Sequence, residues 1–207
     1  MNEGQEVFTI GHSTHSLAEF MRLLRLHAID VVADVRSTPQ SRFNPHFCRE
    51  AFEIALKQGG FRYVFLGREL GARTSDLSCY LDGKVQYSRL AKTALFQGGL
   101  DRIIRGKTNY RIALMCAEKE PLDCHRTLLV GRALVERGVP IVHIHADGKL
   151  ESYEDSMSRL LHLTGVPKQD MFRSKEELLN EALARQEQNV AYVNESLVPS
   201  SVNEDAL

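Results

Sequence analysis

IDVVADVRSTPQSRFNP, residues 29–45, moves from a run rich in β-branched and apolar residues, Val31 to Val35, into a polar segment that ends on Asn44 and Pro45. A strand buried on both faces reads as such a run. Polar residues massed beyond its carboxyl end are the pattern of a parallel α/β sheet, where ligands bind outside the strand ends. Four further runs match the first: Val7 to Ile10, Tyr63 to Leu66, Ile112 to Cys116 and Ile141 to Ile144. Between them apolar residues recur at helical spacing, as in Leu17, Phe20, Met21 and Leu24, and again in Phe47, Ala51, Ile54 and Ala55. The alternation predicts an α/β fold: an open, mainly parallel five-stranded sheet flanked by helices on both faces, with extra C-terminal helices.

Local signals place the helix starts. Ser16 with Glu19 and Ser174 with Glu177 have capping-box spacing, and Asn44 precedes a proline suited to a first helical position. Gly98 and Gly99 are expected to split the helical stretch from Ser88 to Arg105. The segment from Gly67 to Tyr87 has no clear period and reads either as a lid or as a plain surface excursion. Tyr153, Met157, Leu160 and Leu161 mark a helix that docks on the sheet, and another is expected around Lys175 to Gln186. Residues 1–167 are thus read as a single α/β domain. Residues 168–207 are read as a C-terminal helix and an acidic tail, disordered over NESLVPSSVNEDAL and without a chemical role.

The chain of 207 residues carries 26 basic and 27 acidic side chains with 43% hydrophobic residues, which excludes a disordered, fibrous or membrane-spanning class. The start, MNEGQEVFTIGHS, lacks the basic and long apolar stretches of a secretory signal, so a cytoplasmic protein is expected, with no membrane partner. Four scattered cysteines do not make a disulfide scaffold. The acidic charge lies mainly in the tail, leaving a mildly basic body suited to an anionic small molecule or a nucleic-acid end.

Reactive residues cluster after the strands, in TIGHS (residues 9–13), DVRSTPQSRFNP (34–45), CAEKEPLDCHR (116–126) and HIHADG (143–148). In CAEKEPLDCHR, Cys124, His125 and Arg126 are expected in the first turn of a helix, where unpaired N–H groups favour negative charge and lower a thiol's pKa. Cys124 is therefore a candidate nucleophile with Cys116 behind it, His125 and His12 are candidate proton carriers, and Arg36, Arg42 and Arg126 are candidate anion contacts. Ser13 stands at the tip of the first strand, and Glu118 lies beside the cysteines. Asp34 and Arg36, two apart on a strand, point to one face. Either they pair with each other and only shape the loop, or Asp34 orients His12 or a ligand hydroxyl while Arg36 takes a phosphate. Buried structural cysteines are the plain alternative to a reactive pair. His145 can reach the crevice edge and Glu69 can supply an acid, whereas His27, His46, His162, Cys48 and Cys79 carry no assigned role.

These four segments, counting FLGRELG (residues 65–71) in place of HIHADG, resemble the domain-of-unknown-function family 488 over about residues 5–165. The resemblance implies a small bacterial or archaeal α/β domain with characteristic cysteines and no established reaction. It marks His12, Ser13, Asp34, Arg36, Pro39, Ser41, Gly67, Leu70, Gly71, Cys116, Glu118, Pro121, Cys124, His125 and Arg126 as signature positions. The tail from about residue 168 lies outside it.

The leading reading is an enzyme-like domain holding a phosphate-containing ligand, a nucleotide or nucleic-acid end, in a crevice of thiol, imidazole and guanidinium groups. A second reading is a metal or redox protein centred on Cys116, Cys124, His125 and Glu118, although seven intervening residues do not make a zinc knuckle. A third is a non-catalytic sensing module, in which Cys124→Ser leaves ligand binding intact. No cofactor is assigned. No phosphate-binding glycine loop and no basic-aromatic stretch is present to suggest a kinase or a base-reading protein.

Overall fold

A computed structural model describes residues 6–198. In chain order its strands and helices are β1 (Val7–Gly11), α1 (Leu17–Leu26), β2 (Val31–Asp34), α2 (Arg49–Gln58), β3 (Arg62–Phe65), α3 (Gly67–Leu70), β4 (Tyr80–Leu81), β5 (Lys84–Val85), α4 (Tyr87–Leu90), α5 (Ala94–Gly106), β6 (Ile112–Cys116), α6 (Arg132–Val135), β7 (Ile141–Ile144), β8 (Leu150–Ser152), α7 (Tyr153–Leu163) and α8 (Lys175–Val190). The main sheet has the order β3-β2-β6-β1-β7-β8. All its pairings are parallel except β7 with β8.

The sheet is six-stranded rather than five-stranded, because β8 adds an antiparallel edge. Gly148, at φ +86°, turns the chain between β7 and β8, so the Asp147-Gly148 pair was an available hairpin signal.

Side chains alternate along each strand and so build two cores. Phe8, Ile10, Val32, Ala113 and Met115 face α1 and α2, where Phe20, Leu23, Leu24, Phe52 and Leu56 are buried. Val7, Val31, Ala33, Leu114 and Cys116 face the other layer, built from α5, α6, α7 and α8 around Phe96, Leu100, Leu134, Leu160 and Ala182. β1 and β2 thus lead into helices on one face, while β6, between them, leads to the other. Chains diverging in this way open a crevice beyond the end of β6.

Two local expectations are corrected. Asn44 and Pro45 open only a short 3-10 turn, and α2 starts later, after Cys48. Asn44 spends its amide on the Ser13 carbonyl instead, at 3.2 Å. Gly98 and Gly99 lie inside a continuous α5; the break comes earlier, where the Thr93 hydroxyl caps the Phe96 N–H. Gly99 packs so tightly on Leu70 and Glu69 that an added Cβ would meet them at 2.8 Å.

The 67–87 segment is a packed excursion, with Leu70, Cys79, Val85 and Tyr87 buried. An added Cβ on Gly71 would meet Ser37 Oγ at 2.3 Å, so a glycine is needed for the two loops to pass. The chain after α8 seals the excursion: Val85 N–H donates to the Tyr192 carbonyl, and Asn194 N–H to the Gly83 carbonyl. Of the stretch expected to be disordered, residues 194–198 therefore dock on the hairpin, and the remainder lies outside the described residues. Among the described residues no helix is long and apolar enough to cross a membrane.

Candidate functional site

The site is built where β6 ends. Cys116 is the last residue of that strand, and a 3-10 turn at Pro121–Asp123, capped by the Glu120 carboxylate on the Leu122 N–H, returns the chain so that Cys124 comes back beside it. Arg126–Gly131 then forms a π-helical stretch running into α6, a wide turn often found at functional sites. Arg126 is fully buried. It donates through Nη1 to the Glu118 carbonyl at 2.6 Å and through Nη2 to the Lys119 carbonyl at 3.1 Å, while its Nε has no partner. The Glu118 carbonyl lies against Gly11, where a Cβ would sit 1.9 Å from its oxygen. The expectation that Arg126 contacts an anionic ligand is therefore corrected: its guanidinium is spent on holding the 118–119 loop.

Cys116 Sγ and Cys124 Sγ lie 3.7 and 3.8 Å from His125 Nδ1. His125 Nε2 is 3.0 Å from the Val35 carbonyl, which can only accept, so Nε2 carries a hydrogen. Cys124 Sγ is also 2.9 Å from Glu118 Oε2 and receives the Arg126 backbone N–H at 3.4 Å. Burial pushes the Cys116 thiol up, as does its neighbour Cys124. At Cys124 burial acts in the same direction, but the hydrogen bond from Cys116, the charge of Arg126 and His125 together bring the thiol well below its ordinary value. Burial and the charge of Cys124 raise the Glu118 carboxyl. Burial lowers His125, but Cys124 and Glu118 outweigh it and the imidazole is raised. Two anions 2.9 Å apart would repel strongly, so Cys124 and Glu118 titrate together and share a proton.

On the neighbouring strand end, Asp34 and Arg36 form a buried two-pronged ion pair, with Nε on Oδ1 at 2.9 Å and Nη2 on Oδ2 at 2.7 Å. Tyr63 donates to Oδ2 at 2.8 Å. Arg36 also reaches the Phe47 carbonyl and, through Nη1, His12 Nε2 at 3.2 Å. A guanidinium cannot accept, so His12 Nε2 must, and Nδ1 donates to the Ser13 carbonyl. Burial and the Arg36 charge hold His12 down at about 4. It is stacked on Phe47, ring centroids 4.3 Å apart. This corrects the proton-carrier expectation for His12, whose two nitrogens are occupied and which is neutral near pH 7. Ser13 is held by backbone bonds at φ 47°.

A crevice of about 360 Å³ opens over these groups, lined by Arg36, Cys116, Glu118, Cys124 and His125 among others. Arg42 is exposed and lies outside the crevice lining, so the structure does not bring it to the expected site. Arg73 does line the crevice: its backbone N–H donates to Ser37 Oγ and its guanidinium lies 4.7 Å from the Tyr192 ring centroid. Tyr87, Val190 and Tyr192 complete the wall, so the segment given no chemical role borders the site. His145 pairs with Glu151, and Glu69 with Arg102, both away from the crevice lining. Arg73 lies two residues beyond GRELG (residues 67–71) and was findable; nothing near Tyr192 in sequence marked it.

An open α/β sheet with a cysteine-histidine cluster at the carboxyl end of a central strand is the class these observations define. Residues 16–133 match the family model described as Domain of unknown function DUF488. The chain belongs to that family. The match is shorter than the span suggested by the motifs and leaves out TIGHS. Comparison with curated proteins and with solved structures gave no match.

Proposed function

We propose that this chain is an enzyme-like domain that binds a small phosphate-bearing ligand in the crevice and carries out polar chemistry on it beside Cys124. The observation that carries the reading is the lining of one hollow, which brings Arg36 and Arg73 together with Glu118, Cys124 and His125. Arg36 spends four of its donors within the protein. A guanidinium has five, so one N–H remains for a ligand. Arg73 is exposed and its charge has no carboxylate partner among the described residues. Both suit a phosphate oxygen. The volume lies at the low end of the range for small-molecule sites, about 300–1,000 Å³, which favours a mononucleotide or a single nucleic-acid end over a duplex. Glu118, whose carboxylate reaches the cluster, is placed to take or give a proton at the reacting group.

Titration calorimetry with inorganic phosphate and a panel of nucleoside monophosphates tests this. A member of the panel is expected to bind, and Arg73→Ala, an exposed change that leaves the circular dichroism intact, should weaken it about tenfold, near 1.4 kcal/mol. Absence of heat for every compound up to millimolar concentration would rule the reading out.

A further inference from the structure

We infer that Cys116, Cys124 and His125 hold a zinc-class divalent cation through their two Sγ atoms and Nδ1, with the fourth position facing the crevice beside the Glu118 carboxylate. The inference rests on the crevice being the place of chemistry, but its test is separate.

The three donor atoms all lie within 4.8 Å of one another. A tetrahedral zinc ion with bonds of about 2.3 Å to sulfur and about 2.0 Å to nitrogen sets those atoms about 3.5 Å apart. The observed sulfur–nitrogen separations, 3.7 and 3.8 Å, differ from this by a few tenths of an ångström. Nδ1 offers one lone pair or one hydrogen, yet it faces two sulfurs at nearly equal distance. A hydrogen bond to either leaves the other aside, whereas an ion between them satisfies all three.

The surroundings fit the same occupant. The Nε2–H of His125 is fixed on the Val35 carbonyl, the outer contact that turns the opposite nitrogen of a histidine toward a metal. Two sulfurs and an imidazole select zinc and its softer neighbours over magnesium or calcium. Charge also balances: the ion displaces the proton that Cys124 and Glu118 otherwise share, two thiolates then neutralise it, and the Glu118 carboxylate offsets the buried guanidinium of Arg126, whose partners among the described residues are carbonyls. The seven-residue gap between the cysteines is no obstacle, since the Pro121–Asp123 turn folds it back.

The test uses the full chain purified without a histidine tag, with elemental analysis, followed by chelator treatment and titration with cobalt(II). Stoichiometric zinc is expected as purified. Cobalt should bind one per chain with an intense sulfur-to-metal absorption and the visible bands of a tetrahedral ion. Cys116→Ser and Cys124→Ser should each abolish the sulfur band pattern, while Glu118→Gln should keep it, because Glu118 is not one of the three ligands. Iodoacetamide should modify Cys124 slowly in the zinc-loaded protein and faster once the ion is removed. A wild-type chain that keeps its circular dichroism but binds neither zinc nor cobalt stoichiometrically overturns the inference; so does a cobalt spectrum unaltered in both serine variants. Loss of phosphate binding with the metal retained would strike at the ligand reading alone, and loss of the metal with phosphate binding retained would strike at this one alone.

Discussion

Replacing Asp34 by alanine should cost the fold about 4 kcal/mol. Asp34 is fully buried and accepts from the Arg36 backbone N–H at 3.1 Å, from Arg36 Nε and Nη2, and from the Tyr63 hydroxyl. Arg36 is only 5% exposed, so the substitution strands a guanidinium away from water. Breaking a buried pair from one side costs about 3–5 kcal/mol, a range that takes in about 1 kcal/mol for the orphaned Tyr63 hydroxyl. Against a total stability of about 5–15 kcal/mol this is a large fraction. Urea unfolding followed by circular dichroism reads it as a lower midpoint at unchanged slope, by about 2 M if the slope is about 2 kcal/mol/M. The double variant Asp34→Ala/Arg36→Met should be more stable than Asp34→Ala alone, because the unpaired charge is gone. A loss under about 1 kcal/mol for Asp34→Ala, or a double variant less stable than the single one, would refute the view that charge burial dominates here.

Other substitutions test other parts of the scaffold. Gly11→Ala drives a Cβ into the Glu118 carbonyl that Arg126 pins; a loss of at least about 3 kcal/mol is expected, and near-wild-type thermal unfolding would show that the loop can yield. Gly98→Ala meets nothing within 4 Å inside α5, so unfolding experiments should find a gain of about 0.5–1 kcal/mol. His143 is buried between Thr9 and Ser156, and burial with the charge of Arg126 holds it down at about 3. Below its unfolded value of about 6.5 the unfolded chain binds a proton that the folded one refuses. Stability should then fall by about 1.4 kcal/mol for each pH unit from about 6 toward 4 on its account, a slope that His143→Gln should reduce by that amount; equal slopes would contradict the neutral, buried imidazole.

Much of this architecture was legible because buried parallel strands are short runs rich in β-branched and apolar residues, as at 7–10, 31–35 and 141–144. The spacing of Asp34 and Arg36 pointed their side chains to one face but left pairing and ligand contact as alternatives; the buried ion pair, with Arg36 just past the end of β2, is what the structure shows. Other features depended on contacts that no local pattern encodes. Gly99 reads as a helix breaker until Leu70 and Glu69 are packed against it. Arg126 reads as a free cation at a helix start, but the π-helical turn sinks it under the loop it supports. Cys116 and Cys124 look badly spaced for a shared centre unless the intervening proline turn is seen in three dimensions. Arg73 and Tyr192 meet across more than a hundred residues of chain, and their contribution could not be read from either neighbourhood.

The span shared with the family, residues 16–133, omits β1, which lies between β6 and β7 in the sheet. A fragment trimmed to those limits would lose the central slat of its own scaffold, the glycine on which the Glu118 loop rests and the aromatic ring facing Arg73. Evolutionary recurrence and physical self-sufficiency thus divide this polypeptide at different points, and expression boundaries are better drawn from hydrogen bonding than from alignment.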